Sequence, residues 1–409
     1  MTLRRYLGIR LALVALLAGR LSASGRIGGA WARPSLAFTA RGEALRFAAI
    51  TAASLVVEGD IGAQDSGNDE RSIRITAALI DGEAHSVALK ALSARVTGTV
   101  AQHELVLTAR GADLDLDARL AGGWRATASA GWSGRVVALE NRGQYPLALA
   151  GSARVDWQPD HFRVADAIGT ISGGRFALRE LAWDAGRWSS SGDFTGLPAA
   201  AVLAATGHAQ HVRSTLTLSG RWSFAAAPRL NGTLMLSRDA GDIAPADSPE
   251  LALGLSRFDV AAESVDDRLR ATFTARSRLA DADVAVDVAS SPALAGRFDG
   301  AAPLKVSAHV DAASLRAVQA LAGTTAIVDG RLSMNLAGQG TLRELRLTGT
   351  VDGDALKLEA PQYGVFLRDG RLRARLDERA VTVSDLSFSA GDGRFVASGT
   401  LPAAGAGDA

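Results

Sequence analysis

The 409-residue chain contains no cysteine, so disulfides, thiolate metal sites and a cysteine nucleophile are all excluded. Aromatic residues make up only 5% of it, and its 47% hydrophobic content leans on Ala, Val and Leu, so bulky core-forming side chains are thin for the length. Charge of one sign is also missing. Forty-four Lys and Arg nearly cancel 43 Asp and Glu, and no long single-sign block occurs, which sets nucleic-acid binding aside. No apolar run has the length of a confident membrane span. Helical periodicity is scarce. One stretch, Asp311–Gly323, spaces Leu315, Val318 and Leu321 by threes, with Asp311 or Ser314 available as N-cap and Gly323 as stop, and a second short helix is expected to start at Pro198 within Gly196–Gly207.

Alternation of apolar and polar residues fills the space that these absences leave. In "DGRLSMNLAGQGTLRELRLTGTVDGDALKLE" (Asp329–Glu359), Leu332, Met334 and Leu336 share one parity, followed by Leu345, Leu347 and Val351, then Leu356 and Leu358. In "DGRLRARLDERAVTVSDLSFSAGDGRFVASGTL" (Asp369–Leu401), the set is Leu372, Leu376, Val381, Val383, Leu386 and Phe388. Each run predicts a strand with one apolar face, and Asp-Gly or Gly-Gly breaks predict the turns between. Parity changes between Val383 and Leu386. That change predicts a bulge or turn, because a one-residue slip in a continuous strand sends the apolar set to the opposite face.

Catalytic and metal motifs fail on spacing. Asp113, Asp115 and Asp117 alternate as a calcium loop begins, but Ala118 and Trp124 stand where such a loop needs Gly and Glu, so the three carboxylates are expected on a wet strand face. His208 and His211 have no third ligand beside them. No P-loop, nucleophile elbow or dinucleotide fingerprint occurs. No catalytic residue, metal or cofactor is therefore expected, and the chain does not read as an enzyme. The seven tryptophans, Trp31, Trp124, Trp132, Trp157, Trp183, Trp188 and Trp222, read as strand-end or interface packing.

The architecture expected is all-β: an elongated, curled sheet, a β-taco or open β-groove, of roughly two dozen short strands with a hydrophobic interior and one or two short helices. Small side chains and nearest-neighbour hairpins favour this over a sandwich with interdigitating bulky residues. Residues 1–24 carry Arg4 and Arg5, the apolar run Leu11–Ala18 and small residues after it. They read either as a signal or anchor segment or as part of another β-repeat. Residues 25–236 and 251–401 read as two parts of the repetitive groove, 237–250 as a loop between them, and 402–409 as a tail.

The stretch Val310–Leu401, together with "GGAWARPSLAF" (Gly28–Phe38), "VTGTVAQHELVLTA" (Val96–Ala109) and Gly122–Trp124, resembles the TamB family of bacterial envelope proteins, within the wider AsmA-like group. The resemblance implies a periplasmic β-taco anchored in the inner membrane and meeting an outer-membrane barrel of the BamA-like class. This chain is shorter than a full member and lacks a recognisable C-terminal partner-binding region, so it is expected to be a fragment. The resemblance implies two functions: conduction of phospholipid acyl chains between membranes, or a scaffold for assembly and secretion of outer-membrane and autotransporter proteins. The fourteen residues from Leu332 to Phe388 named above are the expected lining of a lipid groove. A β-solenoid with sealed faces, structural or adhesive, is the reading from a different class.

Overall fold

Alternating runs become strands, and the Gly-containing breaks between them become turns. The computed structural model describes residues 17–30, 33–47, 50–62, 71–84, 87–125, 131–205, 212–227, 229–246, 248–292, 299–316, 327–361 and 364–402. The fold is all-β, in open, curled antiparallel sheet. Two compact units divide the chain, Met1–Ala185 and Gly186–Ala409.

The first unit contains β1 (Leu17–Ala30), β2 (Arg33–Phe47), β3 (Ile50–Ile61), β4 (Ser72–Ala84), β5 (Val87–Thr99), β6 (His103–Gly111), β7 (Asp115–Arg125), β8 (Gly131–Asn141), β9 (Leu147–Leu149), β10 (Ala153–Gln158), β11 (His161–Ile171) and β12 (Gly174–Asp184). Strands β1 to β8 pair antiparallel, each with the next. β9 and β10 are the halves of one broken strand, since β8 and β11 pair with both. Residues 17–24 of the candidate signal segment lie in β1; residues 1–16 are outside the described residues, as are Trp31, His208 and His211.

The second unit contains β13 (Arg187–Pro198), helix α1 (Ala199–Ala205), β14 (Val212–Ser214), β15 (Thr217–Ala226), β16 (Leu230–Ala240), β17 (Ile243–Pro245), a 3-10 turn at Pro249–Leu251, β18 (Leu255–Val265), β19 (Arg268–Ser277), β20 (Ala280–Val288), β21 (Pro303–Ala312), β22 (Ile327–Thr341), β23 (Leu345–Ala360), β24 (Val365–Asp377), β25 (Ala380–Ala390) and β26 (Gly393–Pro402). The meander runs β13, β15, β16, β18 and onward to β26, while β14 and β17 form a separate ribbon.

Two expectations change. Not all strands are short: β23 spans 16 residues and β22 spans 15, because apolar runs that the sequence separates are joined through bulges. Ala355, at φ 52, lets Val351 and Leu356 belong to one strand despite their opposite parity. The stretch 237–250, expected as a loop, completes β16 and supplies β17. There the Asp242 carboxylate accepts the N–H groups of Ile243, Gly254 and Leu255. Of the two N-cap candidates in Asp311–Gly323, Ser314 precedes the helical residues 315–316, while Asp311 and Ala312 close β21; residues 317–323 lie outside the described residues. Helix α1 follows Pro198 as expected.

Among the described residues no large side chain is fully buried, and eleven of the seventeen buried apolar residues are Ala. A second layer packed on these sheets would bury Leu and Val wholesale. The apolar faces are therefore only half covered.

Candidate functional site: the apolar face of the sheet

Residues directly opposed in an antiparallel ladder project to the same face, so the registers assign faces strand by strand. In the second unit one row runs Ala282, Val310, Met334, Val351, Ala374 and Val383 across β20 to β25. The neighbouring row is Val284, Ala308, Leu336, Gly349, Leu376 and Val381, and on the other side lies Ala280, Ala312, Leu332, Gly353, Leu372 and Leu386. Leu345 and Leu347 stand opposite Gly340 and Gly338, and Leu358 stands opposite Val328 and Leu367. Leu356 is opposite Gly370. An added Cβ at Gly370 would meet Phe388 Cε1 at 2.2 Å and Leu356 Cβ at 2.8 Å, so all three share this face. The registers thus bring the fourteen residues singled out in the sequence onto one face.

Glycines let that face close on itself. A Cβ at Gly338 would stand 2.6 Å from Val306 Cγ1 and 2.9 Å from Leu347 Cδ2, and one at Gly353 would stand 2.7 Å from Leu356 Cδ1. Large side chains therefore lean over bare backbone, which lowers their exposure without a second layer.

The first unit builds the same kind of face. Gly42, Leu55, Leu79, Leu92, Ala109 and Leu116 form one row across β2 to β7. Phe38, Gly59, Ile75, Val96, Leu105, Leu120 and Val136 form another across β2 to β8. The signal was available: these runs alternate as regularly as those after Asp329.

Charge occupies the opposite face. Glu263, Arg270, Asp287, Lys305, Gln339 and Arg346 are opposed in sequence across β18 to β23. Arg268 pairs with Asp287 at 2.5 Å, and its hydrogen bond holds the Asp287 carboxyl below the ordinary carboxylate range. Arg373 does the same for Asp354, at 2.8 Å. In the first unit Asp115 and Asp117 lie on the face away from its apolar rows, as their spacing implied. Arg110 donates to Asp117 at 2.7 Å and Arg142 also pairs with it; these two bonds, in that order, depress the Asp117 pKa. Asp113 lies outside β7, where its carbonyl accepts the Gln144 N–H. Among the described residues no group of three His, Asp or Glu is arranged to hold a metal ion.

No helix among the described residues is long and apolar enough to cross a membrane. No curated protein and no solved structure matches the chain. Residues 11–166 match the family model described as "TamB, N-terminal domain", a span that includes Gly28–Phe38, Val96–Ala109 and Gly122–Trp124 but not Val310–Leu401. That match identifies a TamB N-terminal domain in residues 11–166 and supports a member of the TamB family of bacterial envelope proteins.

Proposed function

We propose that the apolar face conducts phospholipid acyl chains between the inner and outer membranes, with this chain forming part of a periplasmic bridge. The observation that carries the reading is a face of Leu, Val, Ala and Gly rows that is only half covered among the described residues. Each buried methylene is worth roughly 0.8 kcal/mol, so an acyl chain of about sixteen carbons crosses water too rarely without cover. Contact with such a face is non-directional, and a bound chain can slide along it. The work is binding and guidance, with no bond made or broken. Membranes and a BamA-like outer-membrane barrel are the partners that the family suggests, and the periplasmic side of the inner membrane the location.

The test places photo-crosslinkers in cells. Met334, Leu347 and Leu376 on the apolar face should capture phospholipid, and Ser333, Arg346 and Arg375 on the wet face should not. Equal labelling of both sets overturns the proposal. A second reading, a scaffold for outer-membrane and autotransporter proteins, draws support from β26. Among the described strands it pairs only with β25, and it exposes Phe395, Val396 and Leu401. Capture of outer-membrane polypeptide in place of lipid would favour it.

A further inference from the structure

Five aromatic side chains of the first unit stand in one row across five adjacent strands. Trp124 of β7 is opposite Trp132 of β8, Trp132 is opposite Trp157 of β10, Trp157 is opposite Phe162 of β11, and Phe162 is opposite Trp183 of β12. Each is the residue next to the end of its strand. The same registers set the next row inward as Gly122, Gly134, Val155, Val164 and Leu181. Beyond the row, toward the turns, lie Arg125, Gln158, Asp160, His161 and Asp184. The aromatic row thus marks the boundary between the apolar face and the wet rim.

Two of the rings stay open to solvent, and a third is held against the sheet. Trp132 lies over bare backbone: a Cβ at Gly134 or Gly122 would stand 2.5 or 2.6 Å from its ring. Its Nε1–H donates to His103 Nε2 at 2.9 Å, which holds the ring on the face. Trp124 and Trp157 meet edge to face at 5.7 Å between centroids, yet remain 44% and 42% exposed. Core packing would bury both rings. A sugar platform would want polar side chains inward of the rings, and the inward row is Gly, Gly, Val, Val and Leu. Indole and phenyl rings between an apolar floor and a polar rim match the zone of an amphiphile where acyl chain gives way to headgroup.

We infer that this row is a phospholipid-binding site that fixes the lipid sideways, with acyl chains over the inward rows and the headgroup beyond the aromatic row, at the Pro159-Asp160 turn after β10. The inference rests on the lipid reading above and adds an orientation to it. Whole-chain forms that keep one tryptophan, Trp157 or Trp222, with Phe at the others, are loaded from phosphatidylcholine vesicles brominated at either end of the acyl chain and then freed of vesicles. Trp222 is the reference, since it lies mid-strand in β15 opposite Gly192 and Leu234. Bromine near the glycerol end should quench Trp157 about twofold more than bromine near the methyl end, with no such excess at Trp222. Equal quenching of Trp157 by both lipids, with Trp222 quenched, overturns the inference and leaves the lipid reading standing. No quenching at either residue overturns both. If single-tryptophan forms do not fold, the native chain is compared with Trp124→Phe/Trp157→Phe, which should lose most of the glycerol-end quenching; retention of that quenching overturns the inference.

Discussion

Ala374 of β24 stands opposite Val383 of β25, one residue out of step with the adjoining pair, Arg373 and Asp385. The extra residue is Ser384, whose hydroxyl donates to the Arg373 carbonyl at 3.2 Å. The same residue is extra against β26, where Val383 faces Gly399 and Leu386 faces Ala397. Deleting Ser384 should force either Val381 and Val383 or Leu386 and Phe388 onto the wet face. The expected loss is about 2–4 kcal/mol in a urea titration, against under about 1 for Ser384→Ala, which keeps the chain length. Equal effects of the two changes would mean that the bulge does not set the register.

An open face and a sealed core respond differently to charge. Leu345 is 41% exposed, so the guanidinium of Leu345→Arg reaches water, and the change should cost about 1 kcal/mol or less while lowering lipid capture. Leu356 is 8% exposed, and Leu356→Arg should cost about 3 kcal/mol or more, with loss of the β-signal in circular dichroism. Equal loss of folding at Leu345, Leu347, Leu356 and Leu358 would point to a sandwich.

What the sequence makes legible here follows from the reach of each signal. Period-two alternation is local, so the strands and their apolar faces can be read directly, and even the bulge at Ser384 shows as a parity change between Val383 and Leu386. Strand length is less legible, because a residue such as Ala355 at positive φ resembles a break when it is a bulge within β23. The aromatic row needs registers. Trp157 and Phe162 flank the Pro159-Asp160 turn and their pairing can be read from the turn alone, whereas Trp132 meets Trp157 across the intervening β9 segment, a pairing that no local spacing reveals.

Glycine does two kinds of work in these strands, and substitution should separate them. Gly349 sits at φ +143, where an added Cβ would stand 2.0 Å from the Asn335 carbonyl oxygen. Gly399 has nothing within 4 Å of its Cβ direction. Gly349→Ala should cost about 2 kcal/mol or more, from strain and clash together, while Gly399→Ala should be neutral within about 0.5. Thermal unfolding monitored by circular dichroism distinguishes them, and a neutral Gly349→Ala would contradict the β22–β23 register.

The wet-face carboxylates give the sheet a directional response to acid. Hydrogen bonds from Arg110 and Arg142 lower the Asp117 pKa, one from Arg268 lowers that of Asp287, and one from Arg373 lowers that of Asp354, each from an ordinary 3.8. A carboxyl whose folded pKa lies below its unfolded one contributes stability that is fully present above the unfolded value and is lost as pH falls through the folded value. Melting temperature should therefore stay flat from neutral pH down to about 5 and fall below about 4. Because these pairs are exposed to solvent, added salt should weaken their contribution at neutral pH and flatten the acid slope. Asp117→Asn should remove part of that slope and leave lipid capture at Met334 and Leu347 unchanged, since Asp117 lies on the face away from the apolar rows. A melting temperature that rises on acidification from about pH 5 to 3 would show that repulsion among the carboxylates outweighs these ion pairs.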